Sequence, residues 1–143
     1  LYTGSTPSAK ELTEESPDVE LVTTITVVSA DGLEEKKNKS LNPFVSIMCE
    51  GEKVVSAAIP TTTSPTWNIK VTFYRRNPDR PIIVEIWNKK VLIDNYIAEA
   101  RISDRGTEDG ETKKCQLFGK GKQENQIMPG TLSVIIKRCH DHQ

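Results

Sequence analysis

The sequence predicts an all-β protein, an eight-stranded antiparallel β-sandwich. Three observations carry this. Apolar residues recur with a period of two rather than 3.6 from residue 19 onward. Turn chemistry returns about every dozen residues. No long amphipathic helix intervenes, which disfavours alternating strand–helix architecture. Strands that each present one apolar face are most simply buried by packing two sheets face to face.

The first strand lies in the stretch that opens at Val19, where Leu21, Thr23, Ile25 and Val27 alternate with Val22, Thr24, Thr26 and Val28, and β-branched residues dominate. Asp31-Gly32 is turn chemistry. The second strand is Phe44-Val45-Ser46-Ile47-Met48-Cys49, and Glu50-Gly51 signals a tight hairpin into a return strand over 53–58. A Pro/Thr/Ser loop covers 59–65. The next strand sets Trp67, Ile69, Val71 and Phe73 on one side, and a Pro-rich turn follows at 77–81. Ile82, Val84 and Ile86 form another inward face, and further strands are predicted over 96–102, 113–117 and 131–137. Trp67, Trp87 and Phe73 are expected in the core.

Residues 1–18 are polar and rich in Pro, Ser and Thr, as expected of a linker or N-terminal arm, with a short helix capped by Ser8 and Glu11. The folded domain is expected over 19–138, and 139–143 form a C-terminal tail. The chain is 36% hydrophobic and 27% charged, with a mean hydropathy of -0.47 and no apolar run long enough to span a bilayer. Its net charge of -1 is not that of a nucleic-acid binder. The arm through Glu20 is strongly acidic, so the body is mildly basic. Cys49, Cys115 and Cys139 are an odd set without C-x-x-C spacing, as expected of free thiols in a reducing compartment. His140 and His142 lie in the tail, where a metal would be held poorly. With no positioned base and no nucleophile motif, no catalysis is expected of the domain itself.

Several segments, in order, resemble a C2 domain. They are Thr26-Val27-Val28-Ser29-Ala30-Asp31-Gly32-Leu33, the later Asn42-Pro43-Phe44-Val45, and Ser64-Pro65-Thr66-Trp67-Asn68. Asp94-Asn95-Tyr96-Ile97-Ala98-Glu99 and Gly130-Thr131-Leu132-Ser133-Val134 complete the series. The resemblance implies the C2 sandwich, with the type II strand order. An immunoglobulin-like sandwich is the structural alternative, but its Cys…Trp…Cys spacing is absent. The stretch 25–45 and Ile86-Trp87-Asn88-Lys89 are also similar to C2 domains of HECT-type ubiquitin ligases.

Many C2 domains hold Ca²⁺ between three loops at one end, and the ion wants six to eight oxygens. The positions where the family carries loop carboxylates fall here on Lys36 or Lys37, Asn42, Asn88, Lys90 and the region of Asp94. An ammonium offers no lone pair and repels the ion. No Ca²⁺ binding, no other metal and no cofactor are therefore expected. Lys36, Lys37, Lys39, Lys89 and Lys90 are expected to cluster at the loop end, with Leu92 and Ile93 at an apolar tip between charged neighbours. Arg75, Arg76 and Arg80 form a second basic patch around the Pro78 turn, at the opposite end. The resemblance also implies that phosphoinositides would meet a lysine-rich concave strand, but the matching stretch 53–58 carries only Lys53, so strong phosphoinositide specificity is not expected.

The resulting expectation is a non-catalytic, calcium-independent docking module within a larger cytoplasmic protein, mediating protein–protein interaction or scaffolding. The alternative is constitutive, weak binding to anionic phospholipid membranes through the loop-end lysines and the apolar tip, giving a peripheral membrane location.

Overall fold

A computed structural model describes residues 19–34 and 41–139. Eight strands follow one another: β1 (Leu21–Asp31), β2 (Pro43–Cys49), β3 (Glu52–Val55), β4 (Thr66–Arg75), β5 (Ile82–Asn88), β6 (Asn95–Ile102), β7 (Glu111–Phe118) and β8 (Ile127–Cys139). One 3-10 turn, Gly121–Gln123, interrupts the last connection. The strand order is β3-β2-β5-β6-β7-β8-β1-β4, and all ladders between named strands are antiparallel. The β6–β7 junction is a single pair, Glu99 opposite Phe118. Two four-stranded halves, β3-β2-β5-β6 and β7-β8-β1-β4, therefore form the two layers of a nearly closed sandwich.

The period-two pattern explains the core. Ile25 and Val27 of β1, Val45 and Ile47 of β2, and Ile82, Val84 and Ile86 of β5 are fully buried. Leu117, Leu132, Val134 and Ile136 close the layer from β7 and β8. Trp67, Ile69 and Val71 pack against this core from the edge strand β4. The same alternation carries polar residues inward. Arg75 shares the parity of Phe73 and is fully buried, and Asn88 shares the parity of Ile86 and is also buried.

Turns follow from local chemistry. Glu50 and Gly51 both have positive φ (48° and 87°), as a two-residue hairpin with the native strand twist requires. The Glu50 carboxylate then accepts the N–H groups of Arg76 and Asn77, tying this hairpin to the 76–81 turn. Gly130 has φ +106°, and a Cβ there would meet the Asp31 carbonyl at 3.0 Å, so only glycine lets β8 approach the end of β1.

Several strand lengths differ from expectation, among them β7, which runs over Glu111–Phe118 rather than 113–117. The return strand stops at Val55, because the Ser56 hydroxyl takes over the pairing by accepting the Val45 N–H. The last strand starts earlier, at Ile127, because a register shift between Gln116 and Leu117 lets β7 pair on to Met128 and Ile127. The expected arm (1–18) and most of the tail, including His140 and His142, lie outside the described residues.

Candidate functional site

Chain direction gathers three connections at one end: those from β1 to β2, from β3 to β4, and from β5 to β6. Backbone bonds join the first two, with Leu33 N–H donating to Thr63 O at 3.1 Å and Thr62 N–H to Leu41 O at 2.9 Å. Asn42 and Asn88 then join all three. Asn42 N–H donates to Asn88 Oδ1 at 2.8 Å, Thr61 N–H to Asn42 Oδ1 at 2.9 Å, and Lys89 N–H to Asn42 O at 2.9 Å. Trp67 Nε1–H adds a bond to Pro43 O at 3.1 Å. The two carboxamides thus act as a neutral staple, with their oxygens already engaged by backbone donors.

Asp94 is engaged as well. Its Oδ1 accepts the Lys90 N–H at 2.9 Å, and its Oδ2 lies 3.8 Å from Lys89 Nζ. The side-chain oxygens of Asn42, Asn88 and Asp94 therefore each face a donor or a cation. Among the described residues no group of three or more His, Cys, Asp or Glu gathers as a metal site. These three side chains supply a single carboxylate, whereas Ca²⁺ favours six to eight oxygens, several of them carboxylate. Lys36, Lys37 and Lys39 lie outside the described residues.

The 89–94 connection projects from this end. Val91, Leu92 and Ile93 are 99%, 93% and 77% exposed, so they do not tuck under the loop. Lys89 precedes them and reaches back over the Phe44 ring at 6.0 Å, while Lys90 is half-buried. With Asn42, Asn88 and Asn95 these residues line an open cleft of about 820 Å³.

The second basic patch needs correcting. Arg76 and Arg80 are exposed at the opposite end, but Arg75 is not part of any surface. Its Nη2 donates to Pro78 O at 2.9 Å and Arg80 O at 2.6 Å, and its Nη1 to Thr23 Oγ1 at 3.3 Å. It is a structural clamp for the 76–81 turn. The desolvation of a guanidinium is offset here by carbonyl acceptors.

Trp87 also departs from expectation. Ile82, Val84 and Ile86 fill the inner face of β5, so Trp87 points to the outer one. There it lies opposite Phe44 of β2 and Tyr96 of β6. The Trp87 and Tyr96 rings meet edge to face at 5.5 Å and 83°. Trp87 Nε1–H donates to Glu85 Oε1 at 3.0 Å, and Tyr96 OH donates to Glu99 Oε1 at 3.0 Å. Burial, and then the bond to the Glu99 carboxylate, push the Tyr96 phenol well above its ordinary range. The Lys120 ammonium sits 4.5 Å from the Tyr96 centroid, 5.4 Å from that of Trp87 and 3.3 Å from Glu85 Oε2. The outward parity of Trp87 relative to Ile86 was the available signal for this cluster.

The class these features define is a two-layer antiparallel sandwich carrying three stapled loops and an apolar tip at one end. Residues 21–117 match the family model of the C2 domain, and the chain belongs to the C2 domain family. Calpain-5 of Rattus norvegicus is 32% identical over 115 residues, covering 80% of this chain and 18% of that protein. GTPase activating protein 1 of Oryza sativa subsp. indica is 27% identical over 113 residues, 79% of this chain and 68% of that protein. A solved C2 domain of plant extended synaptotagmin 1 shares the fold at a TM-score of 0.74 and 15% identity, covering 86% of this chain and 97% of that one. The chain thus spans under a fifth of the calpain-5 it matches. No helix among the described residues is long and apolar enough to cross a membrane.

Proposed function

We propose that this C2 domain docks on anionic membranes without calcium, through the 89–93 tip. The observation that carries the reading is the exposure of three consecutive apolar side chains, Val91, Leu92 and Ile93, beside Lys89 and Lys90. A contiguous exposed apolar segment with flanking ammonium groups suits a lipid interface, where alkyl side chains enter the headgroup boundary and lysines face anionic lipid. The staple made by Asn42 and Asn88 supports calcium independence, because it orders the loops with neutral amides where an ion would otherwise supply the bridging. Among the described residues the other large exposed apolar side chains, Val55, Tyr74 and Ile127, stand on separate strands, so docking through the sheet faces ranks second. The activity of the carrier protein resides in this reading outside the domain.

Co-sedimentation with phosphatidylserine vesicles tests the reading. Binding in EDTA, unchanged by added CaCl₂ and weakened by salt, is the expected result, and Lys89→Glu with Lys90→Glu removes it. Absence of binding, or binding only with Ca²⁺, overturns the reading, and the former favours a protein partner.

A further inference from the structure

We propose that the outer face of the β5–β6 ladder holds a second ligand site, a seat for a quaternary ammonium group, which Lys120 fills when no ligand is bound. The walls of the seat are the Trp87 and Tyr96 rings, set nearly perpendicular, and the Glu85 carboxylate fixed by the Trp87 indole N–H. Aromatic faces attract cations through their quadrupole, and a desolvated carboxylate strengthens the attraction.

The demand for a cation is built into the ladder. Glu85 and Glu99 are direct cross-strand partners, and like charges in that relation repel. Glu99, 3% exposed, is offset by Arg101 Nε at 2.9 Å. Glu85 has Lys120 as its counter-ion. When Lys120 leaves, a largely buried carboxylate remains beside two ring faces.

Lys120 suits this seat poorly. A primary ammonium carries three donors, and here, among the described residues, a single acceptor, Glu85 Oε2, lies within reach, at 3.3 Å. A trimethylammonium group needs no acceptors and spreads its charge over methyl groups that lie flat on rings. Lys120 also sits between Gly119 and Gly121, with its side chain 46% exposed, so it can swing out into solvent. The ligand class is therefore a choline-type cation, either a free solute or a lipid headgroup. Trp87 and Tyr96 are each one residue from Asn88 and Asn95, which flank the tip connection, so both sources can reach the seat. The seat is built from sheet-face side chains and does not depend on tip insertion.

The test is a titration followed by the indole N–H resonance of Trp87, with that of Trp67 as internal reference. Choline and its neutral isostere 3,3-dimethylbutan-1-ol are added to the native chain, to Lys120→Ala and to Glu85→Gln. Choline is expected to move the Trp87 signal at about tenfold lower concentration in Lys120→Ala than in the native chain. It moves it at higher concentration in Glu85→Gln, and the isostere responds at least about tenfold more weakly throughout. A Trp87 signal in Lys120→Ala that ignores choline, or answers the isostere equally, overturns the proposal. Lys120→Gln serves in the same way if the alanine variant loses its native amide dispersion. Phosphatidylcholine vesicles added to Leu92→Ala and to the native chain then separate the sources. A Trp87 response to vesicles assigns the headgroup, and a response to choline alone assigns the free solute.

Discussion

Truncating Leu92 to alanine separates membrane docking from folding. Leu92 is 93% exposed, so the side chain contributes almost no packing to the native state, and its loss leaves stability within about 0.5 kcal/mol. On immersion the same exposure works the other way, since nearly the whole side chain leaves water. Complete burial of a leucine is worth about 1.5–3 kcal/mol, at roughly 0.8 kcal/mol per CH₂. Removing all but the β-carbon therefore costs about 2 kcal/mol of membrane affinity, or roughly a 30-fold fall in the partition coefficient. Val91 and Ile93 remain, so binding weakens rather than vanishes. The assay is partitioning into vesicles of fixed phosphatidylserine content, with the thermal midpoint measured on the same sample. A partition coefficient unchanged within about threefold, at an unchanged midpoint, refutes tip insertion.

Four further outcomes follow from the geometry. Arg75→Met strands the Pro78 and Arg80 carbonyls and costs about 3 kcal/mol or more in urea unfolding, while Arg76→Ala stays within about 0.5 kcal/mol; equal effects contradict the clamp. Asn88→Ala leaves the Asn42 N–H without its acceptor and costs about 1–3 kcal/mol; an unaltered denaturation midpoint contradicts the staple. Burial raises the Cys49 and Cys115 thiols above the ordinary range, so iodoacetamide should modify both far more slowly at pH 8 than in denaturant, and rapid native labelling argues against the packing. The hydrogen bond and charge of Asp104 raise the Lys113 ammonium above its ordinary value. A cation with a raised folded-state pKa stabilises below its unfolded pKa and loses that contribution as pH climbs through the folded one. The alkaline fall of the thermal midpoint should therefore be shallower in Lys113→Met, and identical profiles refute the pairing.

Strand positions were legible because the alternation is strong: Ile82, Val84 and Ile86 announce a buried face before any coordinates are known. The same rule also carried information that residue chemistry obscured. Arg75 follows Phe73 by two and so belongs inside, yet its charge reads as a surface feature. Trp87 follows Ile86 by one and so belongs outside, yet its size reads as core. Asn88 keeps the inward parity, and there its amide serves the loops. What the pattern does not contain is the reach of connections. The seating of Lys120 on rings from β5 and β6 depends on the path of the 119–126 segment, and the outward pose of Val91, Leu92 and Ile93 depends on the Asp94 carboxylate capping Lys90. Both are long-range or loop-specific facts without a periodic signature.

The meeting of β6 and β7 at Glu99 and Phe118 alone has a mechanical consequence. Past that pair no further β6–β7 backbone pairing is present among the described residues, and Ile102 and Leu117 of the two strands are both buried in the core. Deuterium should enter the facing amides of these two strands before it reaches β1 and β8, which share the longest ladder. The sandwich thus has a compliant flank running away from the tip end, along which its halves can breathe without disturbing the loops.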